Sequence, residues 1–282
     1  MIGESGSGLS AFIDNAALRV RDYTPALGAV IEGIDLGRPV DDEAVAHISR
    51  TLYERGVVFF PGQRITGTQF IAFGRRFGAL SGSQLGAELG EIRGPEPGGE
   101  NVGGRWHTDQ CFLEKPDVGA LLLARTVPVS GGDTMWAGLG AAFEALSEGM
   151  KDSLRGLRAV YSKVDYHKAA ARRLGAVDPD KGNGSEVIHP LVGRVPETGR
   201  EILFADPKYT TRIVGWTREE SEPLLRFLFA HVTKPEFTLR FHWDAGSLAM
   251  WDNRQTLHLA LNDYNGQPRV MHRLSFAGPF LN

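Results

Sequence analysis

Cysteine is nearly absent. A lone Cys111 in 282 residues excludes an internal disulfide, so the fold is not a disulfide-stapled scaffold, and a reducing, cytoplasmic setting is the expectation. Cys111 itself reads as a small buried apolar residue rather than a nucleophile. Long apolar runs are missing too: stretches such as Ala120 to Ala124 fall far short of the ~20 residues that cross a bilayer, so no membrane span is expected. Residues 1–17, "MIGESGSGLSAFIDNAA", have neither the basic start nor the apolar stretch of a secretory leader, and they read as a flexible lead-in. Nor does one charge dominate. The 31 basic and 34 acidic residues leave a net charge of −3, without the basic field that a nucleic-acid partner requires. Internal repeats and heptads are likewise lacking.

What is present is an ordinary globular mixture, 42% hydrophobic and 23% charged, long enough to bury a sizeable core. Residues 18–282 are expected to form a single domain. After short alternating stretches in "LRVRDYTPALGAVIEGIDL", Asp41 or Asp42 is placed to cap a helix on which Val45, Ile48, Leu52 and Tyr53 recur up to Gly56. "VVFF" reads as a buried strand stopped by Pro61-Gly62, and Thr66 or Thr68 opens a helix carrying Phe70, Phe73 and Phe77. Residues 81–104, rich in Gly, Ser, Pro and Glu, read as a mobile active-site loop. Leu121 to Val127 reads as a strand, "SGGDT" as a turn, and Leu139 to Leu146 as a short helix, followed by a polar insert to about Ser185. Further strands, separated by Asp-Ala-Gly, Asp-Asn and Asn-Gly turns, close the chain. The pattern predicts helices around a largely antiparallel β core, either sandwich or jelly roll.

Chemistry enters at "RWHTDQCF". If this octet is a strand, His107 and Asp109 project to one face and Trp106 and Thr108 to the other. Imidazole and carboxylate together suit divalent iron, and two histidines with one carboxylate leave positions open for other ligands. The same pattern recurs at His242-Trp243-Asp244, where the following Ala245-Gly246 favours a turn. A third ligand is needed, and His258 in "WDNRQTLH" is the natural candidate. Beyond it lie Arg269 and Arg273, which share a face of an extended strand about 13 Å apart at ~3.3 Å per residue. Pointing outward they would be a solvated edge; pointing inward they would require two anions.

With these residues in place, the chain resembles the taurine dioxygenase-like (TauD/TfdA) family of iron(II)- and 2-oxoglutarate-dependent oxygenases. The resemblance runs from about Leu18 to near the C-terminus through "WHTD", "SGGDTMW", "FLFAHVTKPEF", "WDNRQTLH" and "RVMHR". It implies a double-stranded β-helix, a cupin-like jelly roll, with His107, Asp109 and His258 holding Fe(II). It also implies that Thr134 and Arg269 bind the distal carboxylate of 2-oxoglutarate and that Arg273 pairs with the substrate's anionic head. O₂ would be the other cosubstrate, and succinate, CO₂ and a hydroxylated product would result, with cleavage of that product where the hydroxyl lands beside a sulfonate. Relatives form dimers or tetramers, so a homo-oligomer is expected.

Departures from the taurine-using pattern point to a different substrate. Ser83 and Gly86 stand where those members carry a histidine and a tyrosine, and Gly103 stands where they carry an asparagine ahead of the motif. Gln110 replaces the usual apolar residue, while Tyr209 keeps an aromatic wall. The expected substrate is a small anion such as an alkyl sulfonate, sulfate ester or carboxylate, rather than taurine. The competing reading is a metal-binding jelly roll without redox turnover, used for binding or hydrolysis.

Overall fold

Strands that are apolar on both faces organise the chain. The computed structural model describes residues 18–81, 89–94, 103–163 and 186–281. Its largest sheet runs β1 (Arg19–Asp22), β2 (Ala29–Glu32), β3 (Val57–Phe60), β13 (Leu248–Asp252), β5 (Gly119–Thr126), β15 (Val270–Phe276) and β4 (Gly90–Arg93). Neighbours are antiparallel except β2 and β3. A second sheet, β12 (Thr238–Phe241), β6 (Thr134–Gly138) and β14 (Thr256–Ala260), packs against it. Smaller sheets join β11 (Thr210–Ile213), β7 (Arg158–Tyr161) and β8 (Val187–Pro190), and β9 (Val192–Arg194) with β10 (Glu201–Leu203).

The period of two along each strand decides which residues meet. Val57, Phe59, Leu122, Ala249, Trp251 and Met271 face the second sheet and pack with Trp136, Leu239 and Trp243. Their neighbours Val58, Phe60, Leu121, Leu123, Met250 and Leu274 turn the other way, under two helices. This double burial explains why "VVFF" and "ALLLA" are continuous apolar runs rather than alternating ones. It also fixes the face of Arg273, which shares the parity of Met271 and so the side toward the second sheet.

The covering helices are α1 (Asp42–Arg55) and α2 (Gly67–Gly74). Asp41 caps α1 by accepting from Ala44 N at 2.7 Å, and Gly56 ends it at φ 74°, a conformation glycine adopts without steric cost. Thr66 and Gln69 form a capping box on α2. Three shorter or later helices, α3 (Leu139–Glu144), α4 (Glu148–Leu154) and α5 (Arg218–Val232), surround a further apolar cluster that includes Cys111, Tyr161 and Tyr209. Buried Cys111 is the packing residue its sequence context predicts.

Several elements differ from the sequence reading. Helix α2 ends at Gly74, so Phe77 follows it in a turn, though its ring still meets Phe73 at 5.0 Å. A side chain at Gly74 would collide with Leu274 of β15, so the close packing of helix on sheet sets that position. Helix α3 stops at Glu144, two residues short of the predicted Leu146. Within the predicted loop 81–104, Gly90–Arg93 forms β4, an edge strand paired with β15; residues 82–88 and 95–102 lie outside the described residues, as do the lead-in 1–17 and most of the polar insert. "RWHTDQCF" is not a strand: only His107 pairs, as an isolated bridge to His258, and Gln110 then reverses the chain at φ 58°. No helix among the described residues is long and apolar enough to cross a membrane.

Candidate metal centre and its surroundings

The turn between β13 and β14 aims His258. Asp252 and Arg254, each about 1% exposed, form a two-bond pair, Nε to Oδ1 at 2.9 Å and Nη2 to Oδ2 at 2.8 Å. The Arg254 guanidinium also reaches Glu197. A buried arginine so fully paired locks the geometry of the turn, and β14 leaves it with His258 on the inner side.

His258 and His107 exchange both backbone hydrogen bonds, His107 N to His258 O at 3.0 Å and His258 N to His107 O at 2.7 Å. Their rings come within 4.2 Å, centroid to centroid. Asp109 Oδ1 lies 3.8 Å from each Nε2, and the three donors converge within 4.8 Å. A divalent ion that takes ligands at about 2.1 Å fits between donors so spaced. His107 Nδ1 lies 2.7 Å from the Arg105 carbonyl; as a donor there it leaves Nε2 with its lone pair toward the cluster. His258 Nδ1 is buried without a hydrogen-bond partner among the described residues.

The electrostatics favour a cation. Burial, reinforced by the neighbouring His258, pushes the His107 imidazole down to about 3, and burial lowers His258 as well. Burial alone would raise Asp109, but the Arg273 guanidinium and the two imidazoles hold it below the usual carboxylate range. Two neutral imidazoles and one carboxylate therefore present ready donors. The expected outcome is that metal displaces almost no proton from His107: Mn(II) affinity should fall less between about pH 7.5 and 5.5 than the roughly tenfold that each ordinary imidazole would lose. Calorimetry in buffers of different ionisation enthalpy reads this directly, and release of a full proton per imidazole would contradict it.

The two arginines separate clearly. Arg273 Nη2 donates to Asp109 Oδ2 at 2.8 Å, so the oxygen turned away from the histidines is held by the strand β15. Arg269, just before that strand and 7% exposed, donates Nε to Gly132 O at 3.1 Å. No carboxylate among the described residues lies within ion-pair distance of it; nearby Asp133 is engaged by Arg240 and His242. Thr134 is buried two residues beyond Gly132, its Oγ1 accepting from Trp243 Nε1 at 3.0 Å. An unpaired buried guanidinium is costly, on the order of several kcal/mol.

Of the other predicted residues, Tyr209 is 7% exposed and its ring meets His107 at 6.5 Å and Phe112 at 4.9 Å. Gln110 stands at the reversal after Asp109, and Gly103 lies against Ala260 of β14. Ser83 and Gly86 fall outside the described residues. The second His-x-Asp copy is no ligand cluster: His242 pairs with Asp133, and exposed Asp244 opens a turn closed by Ser247. Sequence reading missed Lys208, whose ammonium lies 5.0 Å over Tyr209, and Asp206, buried beneath the turn that carries His107 and Asp109.

Residues 19–275 match the family described as "Taurine catabolism dioxygenase TauD, TfdA family". The chain belongs to the TauD/TfdA family. It is 33% identical to an alkylsulfatase of Acinetobacter baylyi, over 96% of this chain and 89% of that one. It is 31% identical to an alpha-ketoglutarate-dependent sulfate ester dioxygenase of Pseudomonas putida, over 93% and 90%. A taurine dioxygenase structure from Burkholderia xenovorans superposes with a TM-score of 0.78 at 34% identity, covering 94% of this chain and 92% of that one. As in other TauD/TfdA proteins, the core is a jelly roll, and the protein is a 2-oxoglutarate-dependent dioxygenase using Fe(II) and O₂.

Proposed function

We propose that this dioxygenase hydroxylates a C–H bond of a small anionic organic molecule, a sulfate ester or alkyl sulfonate first and a carboxylate second. The observation that carries the reading is Arg273, a cation on the inner sheet face that touches the carboxylate of the metal cluster. In this reading His107, Asp109 and His258 hold the iron, Thr134 and Arg269 take the distal carboxylate of 2-oxoglutarate, and Arg273 receives the substrate's anion beside Tyr209 and Gln110. The family resemblance would add Ser83 to the substrate side; it lies outside the described residues.

Iron(II), 2-oxoglutarate and O₂ together supply the oxidation, in which one oxygen atom enters succinate as CO₂ leaves and the other becomes the substrate's new hydroxyl. The chain contributes position and charge. Arg269, buried and without a carboxylate partner among the described residues, favours an acid at the Gly132 turn. Arg273, held at Asp109, sets the substrate's acidic head close to the metal and hence the C–H beside that head closest to the oxidant. Hydroxylation there gives an adduct that collapses to an aldehyde, with loss of sulfate or sulfite.

Taurine is disfavoured because Gly103, packed on Ala260, offers no side-chain amide to an amino group. A non-redox metal binder would have no use for the buried cation of Arg269. The reading also includes a cytoplasmic homodimer or homotetramer, as its relatives' resemblance implies, and no nucleic-acid partner. The test is succinate formation and O₂ uptake across sulfate esters, alkyl sulfonates, aryloxy and alkyl carboxylates, and taurine. Substrate-dependent succinate should be greatest with a sulfate ester or sulfonate, and a preference for neutral or cationic substrates would sink the reading.

A further inference from the structure

Asp206 sits where two functional segments meet. Its side chain is 1% exposed, and no lysine, arginine or histidine among the described residues lies within ion-pair distance. A buried carboxylate without a cation is held only by strong hydrogen bonding. Here all of it is directed at two turns. Oδ2 accepts from Thr108 N at 2.7 Å and from the Cys111 thiol at 3.6 Å. Oδ1 accepts from Lys208 N at 2.7 Å and Tyr209 N at 2.8 Å.

Thr108 is the residue between His107 and Asp109. Its hydroxyl donates to Asn253 O at 2.5 Å, in the turn that leads to His258, so Thr108 is tied on both sides. On the other side of Asp206, the turn 206–210 is closed by Asp206 N to Thr210 Oγ1 at 3.0 Å and Thr210 N to Asp206 O at 3.0 Å. That turn carries Lys208 and the Tyr209 ring that faces His107.

We propose that Asp206 is the positioning residue that couples the two turns, one oxygen fixing the metal-binding turn through Thr108 and the other fixing the aromatic wall through Lys208 and Tyr209. The inference rests on the metal reading of His107, Asp109 and His258. It reaches beyond that reading because Asp206 touches no ligand side chain. Its consequence is that metal occupancy and the shape of the substrate wall change together.

Asparagine is the discriminating replacement, being isosteric but offering one acceptor oxygen. Whichever way its amide faces, an NH₂ group meets N–H or S–H donors on the other side. In Asp206→Asn the affinity for Mn(II) or Co(II) should fall about 10- to 100-fold, the Co(II) absorption spectrum should shift, and the substrate KM should rise alongside. A lowered thermal midpoint with unchanged metal affinity and Co(II) spectrum would reduce Asp206 to a packing role and overturn the proposal. Hydrogen exchange on the wild-type chain tests it without any variant: Mn(II) should protect the amides of Thr108, Lys208 and Tyr209 together. Protection confined to the segments around His107 and His258 overturns it. If the wild-type chain binds neither metal, it is the metal reading that fails, an outcome separable from the others.

Discussion

Replacing Asp109 with alanine is expected to abolish metal-dependent turnover, while replacing Asp244 leaves it intact. Among the described residues Asp109 supplies the only carboxylate in the cluster, 3.8 Å from both imidazoles, so its removal takes one of their three donors and the negative charge they contribute. Arg273 would then face the ion with no anion between them, and the site becomes repulsive. Loss of a mere supporting residue around a metal typically costs 10- to 100-fold in affinity, so loss of the ligand itself should exceed about 100-fold. Asp244 is the matched control, the same residue two positions after a histidine. It is exposed, and its part in the turn is played by its backbone carbonyl and N–H, which alanine retains; Asp244→Ala should shift stability by no more than about 0.5 kcal/mol. Titration of both variants with Mn(II), beside succinate assays, checks the contrast. Equal loss in both would show that the wrong copy of the motif has been assigned.

That contrast also shows what was legible in the sequence. His107, Asp109 and His258 stood out through residue type and family spacing, and the buried strands through their doubly apolar runs. The course of "RWHTDQCF" did not, because its conformation is imposed from outside. A carboxylate 98 residues away holds Thr108 N, and Gln110 adopts a left-handed backbone that no local pattern announces. Asp206 was equally hidden: "ADPK" reads as a surface turn by composition, yet the fold buries it. Strand β4 escaped notice because glycine and glutamate are weak strand formers and its pairing depends on β15, distant in sequence. The two copies of His-x-Asp were separable only in part, through the Ala245-Gly246 that follows Asp244; the pairing of His242 with Asp133 is a tertiary fact.

Arg273→Ala is expected to raise the KM for an anionic substrate by about 10- to 100-fold, far more than the KM for 2-oxoglutarate. A hydrogen bond to a charged group contributes roughly 1.5–3 kcal/mol, which at about 1.4 kcal/mol per factor of ten corresponds to that range. The residue has a second contact, however, in the 2.8 Å bond to Asp109 Oδ2. Losing it frees the ligand carboxylate to rotate, so some decline in metal affinity should accompany the change in KM. The two effects separate with saturating Fe(II): the metal defect is then masked, and the remaining loss belongs to the substrate. Arg273→Lys sharpens the distinction, because one compact ammonium cannot reproduce the planar fork that serves two oxyanions at once. It should restore the hold on Asp109 or the substrate's affinity, but not both. If Arg273→Ala instead raises only the KM for 2-oxoglutarate, Arg273 belongs to the cosubstrate, and the anion that selects this enzyme's substrate must be met elsewhere along the wall formed by Tyr209 and Lys208.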